Sequence, residues 1–280
     1  GRQMKDDFPV LRIRYAEDSP RIDSHTHPAC ELIFVREGEV RIQIDGRQYL
    51  AGPGTLTLIG ALEQHELEVV KQPYIRHFCI LSPHALERSG LDPVLAGVFK
   101  NRPHSFRHCI RLNDSRPAER LFEQLEVEDL ERAPYAEQAA MGLIEQLLIL
   151  LYRAAPEVFF RPDASPAAQK VWEAQRFLEQ HLDEPVTVKQ LAANCYLSPD
   201  HLTRLFKQMT GYSPKQYLLE NRMMRGCELL LQTDLPVSAV AARCGFPDES
   251  NFIRSFKSRY GITPKQYQKH HSDSHHTRNN

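Results

Sequence analysis

No stretch of this chain approaches the ~18 consecutive apolar residues that a membrane-spanning helix needs, and its N-terminus has no basic segment followed by an apolar core. The first absence excludes a membrane-spanning helix and the second removes a secretory signal, so a soluble, cytoplasmic protein with no membrane partner is expected. Paired cysteines are missing as well. Cys30, Cys79, Cys109, Cys195, Cys227 and Cys244 are scattered, with no Cys-x-x-Cys among them. That spacing argues against a zinc site or a disulfide framework and fits a reducing compartment. The six are expected to be small core residues. Nothing in the composition calls for a cofactor. Hydrophobic content of 41% and charge of 25% are globular values, which excludes wholesale disorder. At 280 residues the chain can bury two separate cores.

Excess charge of one sign is also lacking, with a net charge of −1, until the chain is divided. Residues 1–165 carry 20 Lys+Arg against 25 Asp+Glu, a difference of −5; residues 166–280 carry 15 against 11, a difference of +4. The C-terminal part is therefore the half suited to a polyanion such as DNA.

What is present falls into two kinds of pattern. From Ile22 to about Leu81 the chain reads as short β-rich runs: 31–35, 40–44, 48–50, 55–59 and 74–80. Turn residues separate them at Glu37-Gly38-Glu39, Asp45-Gly46 and 51–54, which predicts an antiparallel sandwich or barrel. Asp45-Gly46 is a hairpin signal. After Asn113 the pattern turns helical, with helices expected over 116–132 and 135–153. The second is apolar on more than one face, and Leu143, Leu147, Leu150 and Leu151 are candidates for a dimer interface or for burial within the domain. Residues 154–166, with three prolines, read as a linker.

Beyond residue 166 the helix boundaries are marked by their own chemistry. Thr187 with Gln190 is a capping box, and Ser198-Pro199 and Ser213-Pro214 are each an N-cap followed by proline at the first helical position. A repeat then appears. At a shift of 50 residues, Arg204, Phe206, Lys207, Gly211, Pro214, Lys215, Gln216 and Tyr217 fall on Arg254, Phe256, Lys257, Gly261, Pro264, Lys265, Gln266 and Tyr267, eight identities in 14 positions. Each copy has a short helix, a turn and a second helix, the parts of a helix-turn-helix. In the first second-helix, Leu202, Leu205, Phe206 and Met209 form a core stripe, leaving Asp200, His201, Thr203, Arg204 and Lys207 outward. In the second, Glu249, Ser250, Asn251, Arg254 and Lys257 are the outward set. Arginine suits bidentate contact with guanine and asparagine suits adenine. The two lysines, further along, suit phosphate. The carboxylates of Asp200 and Glu249 rank below the arginines because phosphates repel them.

Residues 167–270 resemble the DNA-binding domain of the AraC/XylS family of bacterial transcription regulators. The resemblance rests chiefly on Ala241-Ala242-x-x-Gly245-Phe246, Phe252-x-Arg254-x-Phe256-Lys257 and Gly261-x-Thr263-Pro264-x-x-Tyr267. It implies two helix-turn-helix units joined by a long helix, here 213–232, whose ~30 Å length is about one turn of B-DNA. The first unit departs from the pattern at Cys195-Tyr196, where the family has a turn glycine. A left-handed Tyr196 would cost on the order of 1 kcal/mol.

Upstream, His25-x-His27-x3-Glu31-x6-Gly38 resembles the first motif of cupin barrels, and His65 falls where AraC-type sensor domains carry a histidine. The implied fold is α+β and multidomain. Its parts are a cupin-like effector-sensing barrel (1–113), a helical pair for dimerisation (114–153), the linker (154–166), a tandem helix-turn-helix domain (167–270) and a disordered tail (271–280). The implied partners are double-stranded promoter DNA, a small-molecule effector, RNA polymerase and a second copy of the chain. The implied effector site is His25, His27, Glu31, Arg36, Tyr49 and His65. A metal-dependent cupin enzyme using His25, His27, Glu31 and His65, or an inert strand edge at His25 and His27, are the other readings. Attachment to a DNA-binding domain favours a metal-free, non-catalytic sensor.

Overall fold

The computed structural model describes residues 10–16, 21–25, 29–61, 63–83, 86 and 89–269, with the backbone alone for 10–16 and 21–25. The chain divides into two compact units, and the division falls between Phe160 and Arg161.

The first unit is one seven-stranded antiparallel sheet curled into a half-barrel. Its strands are β1 (Val10–Ala16), β2 (Arg21–His25), β3 (Cys30–Ile44), β4 (Arg47–Ala51), β5 (Thr55–Ile59), β6 (His65–Leu81) and β7 (Cys109–Arg111). The order is β1-β6-β3-β5-β7, with β2 also on β6 and β4 also on β3. The expected turn at Glu37-Gly38-Glu39 is not a turn. β3 runs through it as one 15-residue strand paired with β6 from Cys30↔Leu81 to Ile44↔His65, with register shifts between Val35 and Val40. Gly38 has φ +78°, and a Cβ there would meet the carbonyl oxygens of Pro73 and Lys71 at 2.3 and 2.4 Å. A glycine in an alternating run marks a bulge or a close backbone approach as readily as a loop. Asp45-Gly46 does form a two-residue turn, with φ +44° and +80°, the conformation that a right-twisted hairpin requires.

Period-two alternation gives the sheet two different faces. Ile33, Val35, Val40, Ile42, Ile44, Leu67, Tyr74 and Phe78 pack into one cluster on the concave side. The alternate residues Phe34 and His77 stack instead on Phe122, each with ring centroids 5.6 Å from it. Phe122 belongs to α1 (Arg116–Glu131), which precedes α2 (Ala136–Ala154). Burial holds His77 far below the usual histidine range, to about 4, with the Arg36 guanidinium pushing the same way. It is a neutral ring in an aromatic stack.

Two expectations need correction here. Leu147 and Leu151 are each 1% exposed, so they belong to the core of their own unit and face no partner. Leu143 and Leu150 are half-buried. The segment read as a linker is largely structured: Ala155, Val158, Phe159 and Phe160 are buried, and Tyr152 packs edge-on against Phe159. Its prolines start two short 3-10 turns, at Pro156–Val158 and Pro162–Ala164. Proline density suggested a tether, whereas the phenylalanines between those turns decide the burial.

The second unit is all helical: α3 (Pro166–Gln180), α4 (Val188–Asn194), α5 (Pro199–Thr210), α6 (Pro214–Gln232), α7 (Val237–Arg243), α8 (Glu249–Tyr260) and α9 (residues 264–269). The capping box expected at Thr187 forms, and two more accompany it. Thr187 closes with Gln190 and Ser213 with Gln216, and Thr263 with Gln266 repeats the arrangement at 2.9 and 3.2 Å. Among the described residues, no helix is long and apolar enough to cross a membrane.

Candidate DNA interface and effector site

The two helix-turn-helix units are built from the same parts. In each, an N-cap side chain opens the second helix: Ser198 accepts from the His201 N–H, Asp248 from the Asn251 N–H. In each, a left-handed glycine closes it, the Gly211 N–H donating to Lys207 O and the Gly261 N–H to Lys257 O, both at 2.9 Å. In each, the buried phenylalanine meets a tyrosine beyond the stop edge-on: Phe206 with Tyr217 at 5.5 Å, Phe256 with Tyr267 at 5.3 Å. Fixing both ends and the inner face of a helix fixes which residues point outward. Asp200, His201, Arg204 and Lys207 on α5 are exposed, as are Glu249, Ser250, Arg254 and Lys257 on α8. Thr203 and Asn251 are half-buried, and the Thr203 hydroxyl donates to Pro199 O of its own helix at 2.8 Å.

The turns between helices differ. Cys195 and Cys244 occupy equivalent C-cap positions, so the helices before the turn repeat at 49 residues, while the helices after it repeat at 50. The second turn is one residue longer. Tyr196 and Gly245 are counterparts, both left-handed, with φ +56° and +73°. Their hydrogen bonds match: Tyr196 N–H to Ala193 O and Leu197 N–H to Ala192 O, against Gly245 N–H to Ala242 O and Phe246 N–H to Ala241 O. Tyr196 thus adopts the glycine conformation, and the turn is kept.

In the first unit of the chain, the predicted effector residues separate. Glu31 and His65 come together on the concave side, Oε1 to Nε2 3.7 Å, both buried. They start strands β3 and β6, and only the curl of the sheet brings them face to face. The backbone of His25 is the register partner of His65; His27 lies outside the described residues. Tyr49 packs on the concave cluster, and its hydroxyl meets His108 Nδ1 at 2.8 Å. Arg36 does not belong to this group. It sits one residue past Val35, hence on the opposite face, and pairs with Glu119 of α1 at 2.6 Å. Among the described residues, no three His, Cys, Asp or Glu side chains gather as metal ligands.

Sequence reasoning missed two features of this side. Glu63 is buried between Arg102, whose Nε and Nη2 donate at 2.6 and 2.7 Å, and His108 Nε2 at 2.9 Å. These partners outweigh desolvation and hold the carboxyl far below the usual range. The second feature is Arg76, buried on β6 between Tyr74 and Phe78. A signal for it existed: in Tyr74-x-Arg76-x-Phe78-x-Ile80 a charge occupies an otherwise apolar period-two stripe. Glu63 and Arg102 stand 39 residues apart with no local pattern to join them.

A curled sheet with a lined concave face, followed by two capped helix-turn-helix units, defines a ligand-responsive DNA-binding regulator. The comparisons agree. An AraC-like ligand-binding domain model matches residues 8–148 and a helix-turn-helix domain model matches residues 191–270. The chain belongs to the AraC family of transcription regulators. RhaS of Klebsiella pneumoniae, an HTH-type transcriptional activator, is 26% identical over 247 residues, covering 86% of this chain and 85% of its own. The RhaR activator of Cronobacter sakazakii is 29% identical over 247 residues, covering 86% and 84%. The unsaturated fatty acid-bound structure of Vibrio cholerae ToxT aligns with a TM-score of 0.55 at 11% identity, over 94% of this chain and 95% of that one. At that identity the likeness is one of fold.

Proposed function

We propose that this regulator activates transcription by placing α5 and α8 in successive major grooves of promoter DNA, under control of a small molecule held on the concave face of the half-barrel. The duplicated geometry of the two helices carries the reading: both present an exposed Arg and Lys at one register, Arg204 with Lys207 and Arg254 with Lys257. Arginine near the middle of such a helix suits guanine, and the lysine one turn on suits phosphate. Asp200, His201, Thr203, Glu249, Ser250 and Asn251 flank the arginines and complete the candidate interface. Glu31, His65 and Tyr49, with His25 in register, are the candidate effector residues; Arg36 is withdrawn from that set.

Activation is taken from the relatives, which are named transcriptional activators, and it implies a contact with RNA polymerase. The protein acts in the cytoplasm, without catalysing a reaction, as a homodimer. With Leu147 and Leu151 in the core, the dimer face on α2 reduces to the side bearing Leu143 and Leu150.

Binding-site selection on the full chain tests the reading. The expected product is two recognition elements with centres about 10–10.5 base pairs apart. Recovery of a single element, or of no preferred sequence, would overturn it.

A further inference from the structure

The half-barrel holds Arg76 buried and Arg102 half-buried, and the two are not alike. Arg102 has what a structural arginine needs. Its guanidinium is matched by both oxygens of Glu63, donates to the carbonyl oxygens of Val98 and Asn101 at 2.9 and 2.7 Å, and lies 4.1 Å from the Phe106 ring centroid. Arg76 is 7% exposed and has far less. Its Nη1 donates to the Tyr74 hydroxyl at 3.3 Å, and its guanidinium carbon lies 5.3 and 5.2 Å from the Tyr74 and Phe78 rings. Its Nε is buried without a hydrogen-bond partner. No carboxylate among the described residues pairs with it. A guanidinium carries five donors and cannot shed its proton. Buried in this state it is destabilising unless something accepts those donors.

Alternation along β6 aims Arg76 to the concave side, between Tyr74 and Phe78 of the apolar cluster. Its register partners are Val35 on β3 and Arg14 on β1. Ile33, Val35, Val40 and Phe78 of that cluster offer contact to hydrocarbon.

We propose that Arg76 is the anion-recognising residue of the effector site, and that the effector is a small organic acid whose carboxylate bonds the Arg76 guanidinium and the Tyr74 hydroxyl while its apolar body lies on Ile33, Val35 and Phe78. The planar fork of arginine matches a carboxylate with two parallel bonds, a stronger contact than any neutral group makes there. This inference rests on the half-barrel being the effector site.

Octanoate and its uncharged counterpart octanamide are suitable probes, titrated calorimetrically into the full chain and into the variants Arg76→Met, Arg76→Lys and Phe78→Leu. Octanoate binds the parent about tenfold or more tighter than octanamide. Arg76→Met abolishes that preference and Arg76→Lys keeps part of it. Equal binding of the two probes by the parent, or binding of neither, overturns the proposal. Should Phe78→Leu weaken both probes while Arg76→Met alters neither, the half-barrel remains the effector site and only the role of Arg76 falls. Octanoate binding that survives both variants removes the half-barrel reading as well. Thermal unfolding without probe separates a ligand contact from a strut. Arg76→Met melts at or above the parent temperature, whereas Arg102→Met melts several degrees below it, since it strands Glu63. If Arg76→Met falls as far as Arg102→Met, Arg76 is structural and the proposal is lost.

Discussion

The two helix-turn-helix units solve one turn problem with different residues, and their surroundings explain why each is allowed. Tyr196 is 90% exposed, so its left-handed backbone meets no obstacle beyond its own Cβ. Its counterpart Gly245 lies against the end of α3. A Cβ there would fall 2.2 Å from Leu182 O and 2.9 Å from Asp183 Cα. Arg222 of α6 reinforces that junction, donating to Leu182 O and to Glu184 O at 2.7 Å each. The second turn is therefore a packing surface as well as a turn. A left-handed residue is demanded in both units, and space demands that it be glycine in only one.

The largest expected effect follows from that difference. Gly245→Ala should destabilise the second helix-turn-helix by about 3 kcal/mol or more, since a left-handed alanine costs 1–2 kcal/mol and the Leu182 contact adds to it. Tyr196→Ala, the matching change in the first unit, should stay within about 0.5 kcal/mol. Urea unfolding of the full chain reads both. Similar costs for the two substitutions would break the distinction between a packed and a free turn.

The next effect concerns DNA, where the units should behave alike. Arg204→Ala and Arg254→Ala should each weaken specific binding by about 1–3 kcal/mol and relax base preference in one half of the site only. A uniform loss with the preferred sequence intact would make both arginines phosphate contacts. Base reading would then pass to Asp200, His201, Thr203, Ser250 and Asn251. A smaller effect is expected from Lys207→Ala and Lys257→Ala, which should weaken all sequences alike. Each should lower the slope of log affinity against log salt by about one unit. Loss of sequence preference in either lysine variant would show that phosphate and base contacts are not divided this way.

Legibility differed between the halves for physical reasons. Helix caps are local chemistry, so Thr187, Ser198 and Ser213 mark the starts of their helices in the sequence itself. The left-handed turn at Tyr196 was readable from the family resemblance, which puts a glycine there; the 50-residue repeat alone sets Tyr196 against Phe246. The sheet was harder. A curl joins residues distant in sequence, and nothing near Glu31 says that it will face His65, or near Glu63 that Arg102 and His108 will enclose it. Alternation alone could have placed Arg36 on the far side of β3 from Val35, and Arg76 on the near side of β6. The motifs point to Arg36 and pass over Arg76, whereas parity separates them. Leu147 and Leu151 failed differently: an apolar helix is the same sequence whether a sheet or a second subunit covers it.

The smallest effect is the most discriminating for the turn comparison, because two opposed terms nearly cancel. Tyr196→Gly relieves a left-handed tyrosine, a gain of roughly 1–2 kcal/mol. It also frees the unfolded chain at that position, a loss of about 0.5–1 kcal/mol. With the ring exposed there is little packing to lose, so the net change should be a stabilisation near 0.5 kcal/mol. The hydrogen bonds from Tyr196 to Ala193 and from Leu197 to Ala192 are backbone bonds that glycine preserves. Urea unfolding of parent and variant, fitted with a shared slope, resolves a difference of this size as a shift in midpoint. Specific DNA affinity, measured alongside, should not change. A destabilisation beyond about 1 kcal/mol would mean that the ring holds contacts worth more than the strain it imposes, and the first turn could no longer be called the free one.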